Sequence, residues 1–320
     1  MLSIAIYTLS LIMACSPSLI CEQEAQGYWS QVADMNTPHQ CHAAVVVNGK
    51  IYVVGGFWMD NFEFEEYNPE TDKWRILPNM PTRRLFLGAT TLQNRIYAIG
   101  GMSDSVEYHS TIEAYDLTNN TWSKFADLPT ARNRLATVAL SGKIYAIGGM
   151  MPVETNYQGI PERNYQDTGI VEVYDQAENL WTTKEGMPTP RHGHSAVVVN
   201  NKILVIGGFQ LEGSWPTATV EEYDPIEDKW TQKAALPTPR GFLGAAVVKG
   251  YIYAIGGRGR GAPVERYDSE ADEWERIGTM PEWRNRFAIA VVDDIIYVIG
   301  GEETGDPQIP LSVLRYEPPR

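Results

Sequence analysis

The chain has 320 residues, 43% of them hydrophobic, enough to bury one large core or two ordinary ones. Its net charge of −14 argues against a general nucleic-acid binder, and three cysteines are too few for a disulfide scaffold. The 28 glycines, the 17 tyrosines and the lack of a long apolar stretch of 3.6-residue period favour strands and tight turns over helices.

Residues 1–21 differ in character from the rest of the chain. The stretch "MLSIAIYTLSLIMACSPSLI" carries no charge, and Leu2 to Ala14 is a compact apolar run. That run is too short to span a bilayer but fits the apolar region of a secretory signal peptide, although the positive residues that usually precede it are missing. "IMAC" also fits a bacterial lipoprotein cleavage site, which would put a lipid anchor on Cys15. The expectation is an extracytoplasmic protein, secreted or periplasmic, with one domain over 22–320 and no transmembrane span. Cleavage before Cys15 would leave Cys21 and Cys41 as a candidate disulfide.

From residue 51 onward one pattern recurs. "IYVVGG" (51–56), "IYAIGG" (96–101, 144–149 and 252–257), "ILVIGG" (203–208) and "IYVIGG" (296–301) are six apolar runs ending in paired glycines. A tyrosine follows each pair: Tyr67, Tyr115, Tyr174, Tyr223, Tyr267 and Tyr316. Seven residues after the first five stand Trp74, Trp122, Trp181, Trp230 and Trp274. Ten residues further come Arg84, Arg132, Arg191, Arg240 and Arg284, each sixteen before the next glycine pair. The sixth repeat lacks its tryptophan, and Trp29 supplies it, ten residues before His39, which sits sixteen before Gly55. A repeat split between the two termini implies a closed ring.

A period of 44 to 59 residues holding four strand-like segments matches a β-propeller blade. Strand a begins at the small Ala43, Gly88, Ala136, Ser195, Gly244 and Ala288, suited to a crowded axis. Strand b ends in the glycine pair, strand c carries the tyrosine, and strand d carries a tryptophan that fills the widening rim. Paired glycines predict a bulge or a close approach by a neighbour. The double glycine, the segments "EAYD", "EVYD" and "EEYD" and the spaced tryptophan resemble the kelch-repeat family over residues 27–317. The resemblance implies an all-β, six-bladed kelch propeller whose ring is closed by the N-terminal strand. Leu204 in place of the strand-b tyrosine and His39 in place of the arginine are the departures.

Length varies only between the second glycine and the tyrosine, at 11, 14, 25, 15, 10 and 15 residues. These b–c loops share a face with the d–a connections, where the arginines lie in "PTRR", "PTAR", "PTPR" and "PEWR". The candidate binding residues are therefore Arg83, Arg84, Arg132, Arg134, Arg191, Arg240, Arg258, Arg284 and Arg286, with Arg260 in the same region and His39 and His194 at the mouth. Guanidinium groups recognise carboxylates and phosphates bidentately, and kelch propellers that bind acidic peptides use arginines in this region. The repeated arginines have a structural reading as well, pairing with a neighbouring blade's carboxylate to hold the ring.

His39, Cys41 and His42 lie across the ring from His192 and His194, too far apart to share one ion, so neither metal nor cofactor is expected. "GGRGRG" (256–261) lacks the following helix and Lys of a phosphate loop and reads as a b–c loop. With no catalytic motif in evidence, the favoured reading is a binding module, a monomer, for an acidic protein segment or an anionic glycan. Its rival is a carbohydrate-processing enzyme similar to kelch sialic-acid mutarotases, with Glu154, Glu162, Glu302 and Glu303 as acid–base candidates by location.

Overall fold

The computed structural model describes residues 26–56, 62–157, 160–211, 215–303 and 311–319; the side chains of 155–163 and 303 lie outside that description. Residues 1–25, with Cys15 and Cys21, fall outside these residues, and with them the expected leader and the candidate Cys21–Cys41 disulfide.

Six four-stranded antiparallel sheets stand in chain order, each with strands ordered a-b-c-d. Blade 1 comprises Ala43–Val47, Lys50–Val54, Phe64–Asn68 and Lys73–Leu77. Blade 2 comprises Gly88–Leu92, Arg95–Ile99, Ile112–Asp116 and Thr121–Lys124. Blade 3 has Ala136–Leu140, Lys143–Ile147, Val171–Asp175 and Leu180–Lys184. Blade 4 has Ser195–Val199, Lys202–Ile206, Val220–Asp224 and Lys229–Gln232. Blade 5 has Gly244–Val248, Tyr251–Ile255, Pro263–Asp268 and Glu273–Thr279.

Blade 6 takes Ala288–Val292, Ile295–Ile299 and Val313–Glu317 from the C-terminal end and Tyr28–Val32 from the N-terminal end. Trp29 pairs across from Tyr316 in the register that sets Trp74 opposite Tyr67 in blade 1. The ring therefore closes with the N-terminal strand as strand d.

Strand b is apolar throughout because both faces of a blade are covered by neighbours, so the usual in–out alternation is lost. Ile96 to Ile99 are fully buried. The core is accordingly six wedges between blades. Phe64 of blade 1, for example, packs with Ile96, Ala98 and Tyr115 of blade 2, and Tyr67 and Trp74 of blade 1 pack with Tyr297 of blade 6. The tryptophans do more than fill the rim. Each indole N–H in blades 1 to 5 donates to a carbonyl of the preceding blade's outgoing chain, at Ala33, Pro78, Ala126, Glu185 and Ala234, over 2.8–3.0 Å.

The glycine pairs answer to a close approach. Gly100 and Gly101 have φ of 61° and 97°, and a Cβ on Gly100 would stand 2.6 Å from the Arg132 carbonyl. Every second glycine donates its N–H to the next d–a connection, Gly101 to Arg132 and Gly301 to His39 among them, each at 2.9 Å. Bonds of this kind place b–c loops and d–a connections on one face, as the spacing predicts. Above that face, blade 3 projects a hairpin of Met150–Tyr157 and Ile160–Asp167.

Candidate functional site

The five repeated arginines, expected at the channel mouth, lie in the interior instead. Arg84, Arg132, Arg191, Arg240 and Arg284 are at most 1% exposed. Each of the first four pairs with the glutamate two residues before the tyrosine of the next blade's strand c: Glu113 at 2.8 Å, Glu172 at 2.9 Å, Glu221 at 2.9 Å, and Glu265. Each guanidinium also donates to a strand-b carbonyl, that of Ala98, Ala146, Val205 or Ala254. The "PT" threonine two residues earlier donates to the same glutamate, as Thr82 does to Glu113 and Thr130 to Glu172. Burial pulls Arg84, Arg132 and Arg191 down to about 10 against the pull of their glutamates, so they keep their charge at neutral pH. A buried charge with a buried partner is a strut and cannot reach a ligand.

The two irregular blades solve the same problem differently. In blade 1, His39 replaces the arginine and sits fully buried beside Glu65 at 3.4 Å, so it is not a mouth residue. Burial pushes the Glu65 carboxyl up, but hydrogen bonds from His39, Thr37 and Asn36 outweigh it and hold the carboxyl low. In blade 6, the strand-c glutamate is replaced by Leu314. The threonine position holds Glu282, whose carboxylate pairs with Arg284. The negative charge has moved from strand to connection, and the pair is kept.

Two residues beyond each arginine, the chain turns at the axis. Cys41, Phe86, Arg134, Gly193, Phe242 and Arg286 all have φ between 52° and 59°. They form a closed ring of backbone hydrogen bonds, each N–H donating to the preceding member's carbonyl over 2.6–3.3 Å. Phe86 and Phe242, from opposite blades, meet across the axis with ring centroids 6.0 Å apart. Arg134 lies 4.4 Å over Phe86 and Arg286 lies 5.3 Å from Phe242. Beneath them is an axial cavity of about 120 Å³ whose lining includes Cys41, His42 and His194. His194, expected at the mouth, is buried there and pulled down to about 3 by desolvation and nearby Arg191. Burial likewise pushes the free Cys41 thiol up to about 12. Among the described residues no three His, Cys, Asp or Glu side chains gather as metal ligands.

Above the ring, displaced toward blades 4 and 5, opens a cavity of about 1080 Å³. Its walls are Arg134, Arg258, Arg260, Arg276 and Arg286, with His192, Phe209, Leu211, Trp215 and Phe242, and among the described residues no carboxylate lines it. Arg258, Arg260 and Arg276 are exposed. Glu302 of the blade-6 loop lies 2.9 Å from Arg286, with both side chains partly exposed. Arg134 has no ion pair among the described residues and donates to the Met150 sulfur. His192 Nδ1 stands 2.6 Å from Asp167 Oδ1 at the end of the hairpin.

Of the predicted residues, the structure thus brings together Arg134, Arg258, Arg260 and Arg286. Arg83 lies elsewhere, its guanidinium 3.8 Å over the Phe62 ring. Arg276, His192, Phe209, Trp215 and Phe242 went unforeseen as site residues. Trp215 carried a signal: it is off the tryptophan repeat and sits in a loop of variable length.

Residues 158–301 match the model of the KLHDC2/KLHL20/DRC7 Kelch-repeats domain, residues 66–214 that of the Attractin/LZTR1 beta-propeller, and residues 38–81 that of the Kelch motif. The chain is 36% identical over 97 residues to Kelch-like protein 15 of Homo sapiens, covering 28% of this chain and 16% of that protein. Against Kelch-like protein 15 of Danio rerio it is 28% identical over 209 residues, 59% of this chain and 33% of the relative. Against Kelch-like protein terF of Aspergillus terreus it is 29% identical over 183 residues, 54% of this chain and 38% of the relative. The match spans well under two thirds of each relative's own length. Six four-stranded blades in a closed ring, the glycine and tyrosine repeat and these matches together make the chain a kelch-repeat β-propeller.

Proposed function

We propose that this propeller acts outside the cytoplasm, as a monomer, and holds an acidic protein segment in the arginine-walled cavity of its b–c face. One observation carries the reading: five arginines, and among the described residues no carboxylate, line a single cavity on a protein of net charge −14. Keeping that much positive charge together on an acidic molecule costs repulsion, which an anionic occupant relieves. The apolar run from Leu2 to Ala14 supports the extracytoplasmic setting. The test is an acidic-peptide and glycan array probed at rising salt. Binding should weaken as the screening length falls from about 10 Å at 0.1 M to about 3 Å at 1 M. Reversing the exposed Arg258 and Arg260 to glutamate should abolish the signal and leave the melting temperature near the parent's. Retained affinity in that variant would refute the assignment.

A second reading, a sugar-acid mutarotase, draws on a different observation. His192 lines the cavity and is oriented by Asp167, the arrangement of a general acid–base group. The carboxylates expected in that role serve it less well. Glu154 is exposed on the projecting hairpin and Glu302 is engaged by Arg286, while the side chains of Glu162 and Glu303 lie outside the described residues. Anomer exchange of a sialic acid followed by NMR decides: acceleration by the parent, lost in His192→Gln, would favour catalysis.

A further inference from the structure

We infer that the cavity is built for an acidic segment with an aromatic side chain set among its carboxylates; this deepens the acidic-segment reading and rests on it. The two halves of the cavity differ in chemistry. On one side Arg258, Arg260 and Arg276 are exposed and form no ion pair among the described residues. On the other, Phe209, His192 and Phe242 form a continuous aromatic cluster with centroids 5.4–6.1 Å apart. Pro216 bridges to Phe209 and carries Trp215 beside this cluster.

Trp215 is 79% exposed and Leu211 is 42% exposed, both on the cavity wall. The indoles of blades 1 to 5 donate their N–H into a neighbouring blade, whereas Trp215 has no hydrogen-bond partner among the described residues. An indole held open beside unpaired guanidiniums offers an apolar face and a donor to one ligand. A sphere of the cavity's volume, about 1080 Å³, is about 13 Å across, room for about four residues of extended chain. The aromatic group and the carboxylates it accompanies must therefore lie within about four residues of one another. Guanidiniums alone would accept any anion; the added apolar wall selects among them.

The experiment compares two short peptides on the full chain by isothermal titration. One has glutamates flanking a single phenylalanine, and the other has serine in its place. The parent should bind the phenylalanine peptide about tenfold more tightly, the effect of one well-seated aromatic anchor. Trp215→Ala, an exposed substitution, should erase that preference, bringing the phenylalanine peptide's affinity down to that of the serine peptide. Equal affinities for the two peptides in the parent would overturn the aromatic subsite while the acidic-segment reading stands. If neither peptide binds but a sialyl oligosaccharide does, the acidic-segment reading falls and this inference with it.

Discussion

Blade 6 suggests a test of the strut assignment, because it shows how the chain keeps a partner for its buried arginine with the carboxylate, here partly exposed, in another place. Replacing Glu172 by leucine in blade 3 copies half of the blade-6 arrangement. It leaves Arg132 fully buried and without its counter-ion, and it removes the acceptor of the Thr130 hydroxyl. Stranding a buried charge costs about 3–5 kcal/mol and the lost hydroxyl bond about 1 kcal/mol. At roughly 2 °C per kcal/mol for a domain of this size, the melting temperature should fall by roughly 8–12 °C. Adding Thr130→Glu completes the copy, since Glu282 holds the equivalent position two residues before Arg284. The double variant should recover most of the loss, read by calorimetry and by urea titration. A single variant that melts within about 2 °C of the parent, or a double variant no better than the single, would refute the account of Arg132 as a strut.

Three further outcomes rest on the same geometry. Glu302 occupies Arg286 at the cavity edge, so Glu302→Gln should raise affinity for an acidic peptide severalfold in titration calorimetry; an unchanged affinity would mean Arg286 is not used by the ligand. His42 and His194 are held neutral by burial, well below their ordinary range, with His194 at about 3. The unfolded chain therefore binds protons that the folded one refuses, and stability should fall as pH drops from about 6.5, by up to about 1.4 kcal/mol per pH unit for each histidine. His194→Leu, matching Leu87, Leu135 and Leu243 at the equivalent positions, should lessen the fall of urea midpoints between pH 6.5 and 5, with His42 carrying what remains. Deleting residues 22–34 removes Tyr28–Val32 from its pairing with Val313–Glu317 and the Trp29 ring from its place 4.6 Å from Tyr316. The whole protein, not one blade, should lose cooperativity in the melt, and an unchanged transition would contradict closure by the N-terminal strand.

The fold was legible because a propeller writes the same local demands six times. Paired glycines, tyrosine and tryptophan at fixed spacing are short-range requirements of turns, strands and neighbouring blades, and Trp29 alone betrayed the split sixth blade. The shared face of loops and connections followed from strand alternation. Whether a given arginine meets solvent or a carboxylate is a different kind of fact. Arg132 and Arg134 stand two residues apart in "PTARNR". One points into blade 3 toward Glu172, and the other points to the axis over Phe86. That difference depends on a glutamate 40 residues away and on a ring of left-handed turns assembled from six blades. The repeat that made Arg84, Arg132, Arg191, Arg240 and Arg284 conspicuous was itself the mark of a structural duty. The groups left for a ligand, Arg258, Arg276 and Trp215 among them, are those the repeat does not require. Local spacing determined the scaffold; only the closed ring, by bringing distant loops to one cavity and burying the struts, decided which charges stay available.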